Sequence, residues 1–183
     1  MSENVFEGQS EASSSERPRA FDTIVLGGLV VGILDALFAF TFYGLILGVK
    51  PLRIFQAVAA GLLGSQSYSG GVKTFLLGLL LHFVVASCIA TVYYLASSKF
   101  PVLVQHAVVS GLIYGMIAYL GMKFVVTPLS LIGRRPMPRL SIFLTEIIGH
   151  AFLVGLPIAL LARRSAMRKS STDFAARLGR NQD

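Results

Sequence analysis

The stretch IVLGGLVVGILDALFAFTFYGLILG, residues 24 to 48, decides the fold. It is apolar throughout except for Asp35 near its centre, and no other residue in it carries a charge at neutral pH. A hydrocarbon core of roughly 30 Å takes about 20 residues of helix at ~1.5 Å each, so this run is long enough to cross. Three more runs pass the same test, at about residues 74–96, 102–122 and 141–162. Composition agrees, since 54% of the chain is hydrophobic and only 14% charged, far from a soluble domain. Only helices or closed barrels satisfy the backbone in lipid, and these runs are too long for barrel strands. The expectation is an all-α polytopic membrane protein, a four-transmembrane-helix bundle occupying residues 23–162.

The segments outside the spans set its surroundings. Residues 1–22 are polar and rich in Ser and Glu, with no apolar core, which reads as a disordered tail and not a cleavable signal peptide. Residues 163–183 read as a basic cytoplasmic tail, in which Arg163, Arg164, Arg168 and Lys169 abut the last span. That cluster fits anionic lipid headgroups, so the net charge of +7 speaks of a membrane surface and not of nucleic acid. Counting Lys and Arg gives nine on the side of the two tails and seven on the other, which favours both termini in the cytoplasm. Between the first two spans, KPLRIFQAVAAGLLGSQSYSGG is too short and mixed to cross. Pro51 suits a helix start, and Leu52, Phe55, Ala59 and Leu62 share a face, so an interfacial or re-entrant helix is expected there. The segment VVTPLSLIGRRPMPRL, with three prolines, reads as a rigid external loop.

Asp35 is not alone in the apolar spans. Glu146 and the three histidines, His82, His106 and His150, also lie inside them or at their ends. Ionisable groups at such depth cost roughly 2.5–3.5 kcal/mol on insertion scales and are functional candidates by default. Asp35 lies eleven residues past Ile24, His82 eight past Thr74 and His150 nine past Ser141, which puts each ~12–17 Å from its entry face, near the midplane. Glu146 is one turn from His150, whereas His106 is close to a surface. Asp35 shares a stripe with Gly28, Gly32 and Ala39, and His82 follows Gly78 and precedes Ala86 at intervals of four. Gly111 and Gly115 form the same stripe on the third span. Small stripes mark close helix contacts, so the ionisable groups should face inward, toward one another.

The motifs T-E-I-I-G-H at Thr145–His150, G-L-I-Y-G at Gly111–Gly115 and T-P-L-S at Thr127–Ser130 carry a family likeness. Over roughly its second half the chain resembles the bacterial YagU-like inner-membrane proteins. The resemblance implies a multi-span location in the bacterial inner membrane and assigns no catalytic residue.

Three readings of the cluster follow. Asp35, His82, Glu146 and His150 could form a proton or ion pathway, or a pH-responsive element, in a small protein whose limited enclosed volume implies a homo-oligomer. Alternatively, Asp35 with His82 and Glu146 with His150 are structural pairs that only hold the bundle together. A haem or metal ligated by His82 and His150 is the weakest of the three, and no cofactor is expected. Nothing pairs a nucleophile with a base, supplies a zinc H-E-x-x-H or cradles a phosphate, so an enzyme is not expected. Cys88 is the lone cysteine and reads as a small packing residue; Tyr93, Tyr94, Tyr114 and Tyr119 read as belt or packing aromatics.

Overall fold

The computed structural model describes residues 20 to 180. Among them four helices are long and apolar enough to span a membrane, and the chain is a multi-pass, all-α membrane protein. These are α1 (Asp22–Ile46), α3 (Gly71–Lys99), α5 (Ala107–Leu129) and α6 (Leu140–Arg168). A shorter helix, α2 (Pro51–Leu63), follows α1, and a single turn, α4 (Val102–Gln105), precedes α5. Large apolar side chains such as Leu29, Leu76, Leu80 and Phe152 point outward, as a lipid-facing surface requires.

The interior is built on small residues. A Cβ on Gly28 would sit 2.6 Å from the Ser87 hydroxyl, and one on Gly32 would run into the Phe83 ring. On Gly111 it would fall 2.9 Å from the carbonyl oxygen of Gly155, and on Gly115 2.7 Å from Ala151 Cα. So α1 packs closely on α3, and α5 on α6, where only a hydrogen can stand between backbones. Gly78 marks the tightest crossing: its missing side chain leaves room for the Phe55 backbone, which lays α2 against α3.

The helix α2 starts at Pro51, whose absent N–H costs nothing at a first turn. It buries Ile54, Phe55, Gln56, Ala59 and Ala60. Leu52 and Leu62, expected on that same face, are exposed instead, because the buried stripe is centred on Phe55 and Ala59. Gln56 donates to the Gly71 carbonyl at 3.0 Å and to Thr74 at 3.2 Å, tying α2 to the start of α3. The far end of α2 is held by the Leu131 amide, which donates to the Gly61 carbonyl at 3.0 Å.

Three boundaries differ from the sequence reading. The third span begins at Ala107, because the chain breaks at His106; the Leu103 carbonyl left by the break accepts from Ser110 at 2.7 Å and from Tyr93 at 3.1 Å. That span also runs past Met122 through Lys123 and Pro128 to Leu129, with the Lys123 ammonium 6.0 Å from the Tyr119 ring centroid. Pro128, which has no amide hydrogen to give, stands one residue before the end of the span, just after the Thr127 amide has bonded the Met122 carbonyl. Finally, the last helix does not stop at Ala162 but continues to Arg180, so residues 163 to 180 of the basic tail are helical. Ser165, one turn beyond Ala162, is buried and lies 3.4 Å from Thr23 at the start of α1. The expected N-terminal tail falls almost entirely on residues 1–19, outside the described residues.

Four helical stretches have the wider turns of i→i+5 hydrogen bonding: Asp22–Leu26, Phe40–Ile46, Met122–Val126 and Ala151–Gly155. The last three lie in α1, α5 and α6 beside Tyr43, Tyr119 and His150. Such turns recur near functional sites because they re-aim side chains without ending the helix.

Candidate functional site

Three helices bring their ionisable side chains together. Asp35 on α1 stands between two imidazoles, with Oδ2 4.0 Å from His82 Nδ1 and Oδ1 3.9 Å from His150 Nε2. All three side chains are largely buried. The separations exceed a direct hydrogen bond by about 1 Å, so a modest side-chain rotation closes either contact.

The other nitrogen of each ring is already committed. His82 Nε2 lies 2.8 Å from the Gly32 carbonyl and His150 Nδ1 2.8 Å from the Glu146 carbonyl. A carbonyl only accepts, so each of these nitrogens must carry a hydrogen. In the neutral imidazoles the nitrogens facing Asp35 are then bare, and two lone pairs meet an acceptor-only carboxylate. One proton bound at any of the three groups supplies a donor to one of the two contacts.

Glu146 occupies a different environment from the one its spacing suggested. The expected carboxylate pairing with His150 is not made; His150 takes the Glu146 backbone carbonyl instead, because an i, i+4 imidazole can fold back onto its own helix. The Glu146 carboxylate accepts from the hydroxyl of Tyr43 at Oε1 and from that of Tyr119, at 2.5 Å, at Oε2. Tyr119 therefore does more than pack, and Tyr43 is a site residue that sequence reasoning missed. Tyr43 and Glu146 lie 103 residues apart on different helices, so nothing local in the sequence links them; only the approach of α1 to α6 joins them. Tyr93 and Tyr114 do pack, with ring centroids 5.1 Å apart, and Tyr114 donates to the Ile89 carbonyl at 2.6 Å. His106 is exposed, away from the cluster.

Two adjoining cavities reach these residues. One, of about 630 Å³, is lined by Asp35, His82 and Tyr43, with Arg53 and Arg135. The other, of about 590 Å³, is lined by Glu146, His150 and Tyr119, with Lys123, Arg134 and Arg135. Ala57, Met122, Thr127, Ile132 and Arg135 belong to both walls. The Asp35–His150 contact thus joins a group of one cavity to a group of the other. Both cavities lie toward the end of the bundle that carries α2 and the loop after Leu129. Toward the opposite end the interior is filled by Val31, Ala86, Ala90, Tyr93, Val154 and Ile158 among others.

Among the described residues no three His, Cys, Asp or Glu side chains converge so as to hold a metal ion. Arg163, Arg164 and Arg168 are exposed along the last helix. No protein family's sequence profile matches the chain, and no curated protein or solved structure is significantly similar to it.

Proposed function

We propose that this is a pH-responsive bacterial inner-membrane protein, with both termini cytoplasmic, that binds and releases a proton at the Asp35–His82–His150 site from one face of the bilayer. The observation that carries the reading is the orientation of the rings: two backbone carbonyls hold His82 and His150 with their bare nitrogens toward one carboxylate. Such a site gains a hydrogen bond by taking up a proton, which a pair assembled only for packing has no need to do. The charged and titratable groups around it are Tyr43 on α1, Glu146 on α6 and Tyr119 on α5, with Arg53, Lys123, Arg134 and Arg135 on the cavity walls.

The asymmetry of the interior supports access from one face over an open pore. Both cavities lead to the site from the α2 end, and the other end is packed with apolar side chains. The proton-binding site is then a station and not a through channel, suited to sensing or to coupling a conformational change.

Nitrogen-15 NMR of the histidines in proteoliposomes tests this between about pH 5 and about pH 9, the range in which imidazoles ordinarily change charge. At the alkaline end His82 carries its hydrogen on Nε2 and His150 on Nδ1, opposite tautomers in one protein. On acidification both signals move in one coupled step, and in Asp35→Asn the coupling is lost, with exposed His106 as the internal reference. Rings that keep one protonation state throughout the range, or that share one tautomer, would return the cluster to a purely structural role.

A further inference from the structure

The larger cavity has a second character that proton binding does not use. Its wall between α3 and α5 is apolar, made by Val58, Leu62, Leu81, Val85, Met122 and Val126. Leu62 is 57% exposed and Val126 47% exposed, so the same wall runs out onto the lipid-facing surface. The helices α3 and α5 are joined at their other end, where Tyr114 bonds the Ile89 carbonyl and Ser110 lies 3.1 Å from Tyr93. At the cavity they stand apart, with α2 and the loop after Leu129 between them.

The mouth is cationic. Arg53, Lys123, Arg134 and Arg135 line the two connected cavities, against the two carboxylates Asp35 and Glu146 deeper in. Among the described residues none of the four cations is ion-paired with a carboxylate. Arg53 and Lys123 instead stand over the rings of Tyr68 and Tyr119, 5.2 and 6.0 Å from their centroids. A cation over an aromatic face keeps its hydrogen-bond donors free for an anion.

From these two features together we infer that the cavity binds one anionic phospholipid of the surrounding bilayer, its phosphate at Arg53 and Arg135 and an acyl chain along the α3–α5 gap. A soluble anion has no use for the apolar wall, and an uncharged lipid has none for the arginines. The volume of about 630 Å³ lies within the ~300–1,000 Å³ usual for a bound small molecule. Basic pockets between transmembrane helices are a recognised setting for anionic headgroups. The inference deepens the proton-site reading and rests on it for the acidic floor, because a phosphate held above Asp35 and the two imidazoles would make their protonation depend on the lipid.

Native mass spectrometry of the protein from nanodiscs of phosphatidylcholine, with or without phosphatidylglycerol, tests it. One phosphatidylglycerol should be retained per chain in preference to phosphatidylcholine. Arg53→Gln and Arg135→Gln should each weaken retention about fivefold, and Val126→Trp should block it. Lys99→Gln, at the end of α3 away from the cavities, should have no effect. Excess inorganic phosphate should not displace the lipid. Equal retention of both lipids, no loss in either rim-arginine variant, or displacement by free phosphate would overturn the inference. Loss of lipid preference with the coupled histidine step intact refutes the lipid alone, whereas uncoupled histidines with lipid preference retained refute the proton site alone.

Discussion

Gly78→Ala is the smallest change that attacks the placement of α2. The added methyl would lie 2.6 Å from the Phe55 carbonyl carbon, nearer still to its oxygen, and 3.2 Å from the Ala59 nitrogen. These are backbone atoms, so no rotamer can relieve the overlap, and α2 must retreat from α3 by on the order of 1 Å to restore van der Waals contact. Overpacking costs roughly 1–3 kcal/mol, and a clash with backbone belongs at the upper end. At ~2–4 °C per kcal/mol for a chain of this length, the apparent Tm in detergent should fall by about 6–12 °C. Gly121→Ala is the control: nothing lies within 4 Å of its Cβ position, and the residue is helical. It should gain about 0.8–1 kcal/mol of helix propensity and melt slightly higher. The retreat should also disturb the Phe55 ring that sits 5.4 Å from His82, so the His82 NMR signal should shift in Gly78→Ala and not in Gly121→Ala. A Gly78→Ala protein as stable as its parent would refute the close crossing, and with it the cavity that α2 walls.

Tyr43→Phe and Tyr119→Phe each remove one of the two hydroxyls that serve Glu146. Each should lower stability by about 1–3 kcal/mol, read as apparent Tm, whereas Tyr94→Phe should change it little. Cys88 is exposed and lies 17 residues into α3, so a membrane-impermeant maleimide should fail to label it in intact vesicles and succeed once the bilayer is dissolved. In a Cys88→Ala background, a cysteine at exposed Met137 should react from outside right-side-out vesicles; labelling only from the inside would reverse the topology.

The four spans were legible because a membrane leaves the backbone one economical solution, and a run such as residues 24–48 has no other home. The glycines were legible for a related reason: Gly28, Gly32, Gly78, Gly111 and Gly115 recur at helical spacing, and each sits where two elements meet. The convergence of Asp35 with His82 and His150 followed from counting depth along three helices. What the count could not reach was the partner of Glu146, because i, i+4 spacing makes His150 adjacent without deciding where its ring turns. Tyr43 was hidden because the wide turns from Phe40 to Ile46 set its direction, and no residue type announces them. The ends of the spans were misplaced at His106, Lys123 and Ala162, where polar residues continue a helix, or interrupt one, according to partners supplied by other elements.

The unequal filling of the bundle also has an electrical side. Water and ions in the cavities would bring the potential of the α2 face inward to Asp35, so that most of the membrane voltage would drop across the half packed with Val31, Tyr93 and Ile158. Full transfer of a unit charge across a membrane involves ~2.3 kcal/mol per 100 mV. A proton that reaches Asp35 from the α2 face traverses little of that drop, and one passed onward to the other face would traverse nearly all of it. Occupancy of the site should therefore follow the chemistry of one compartment almost independently of membrane voltage.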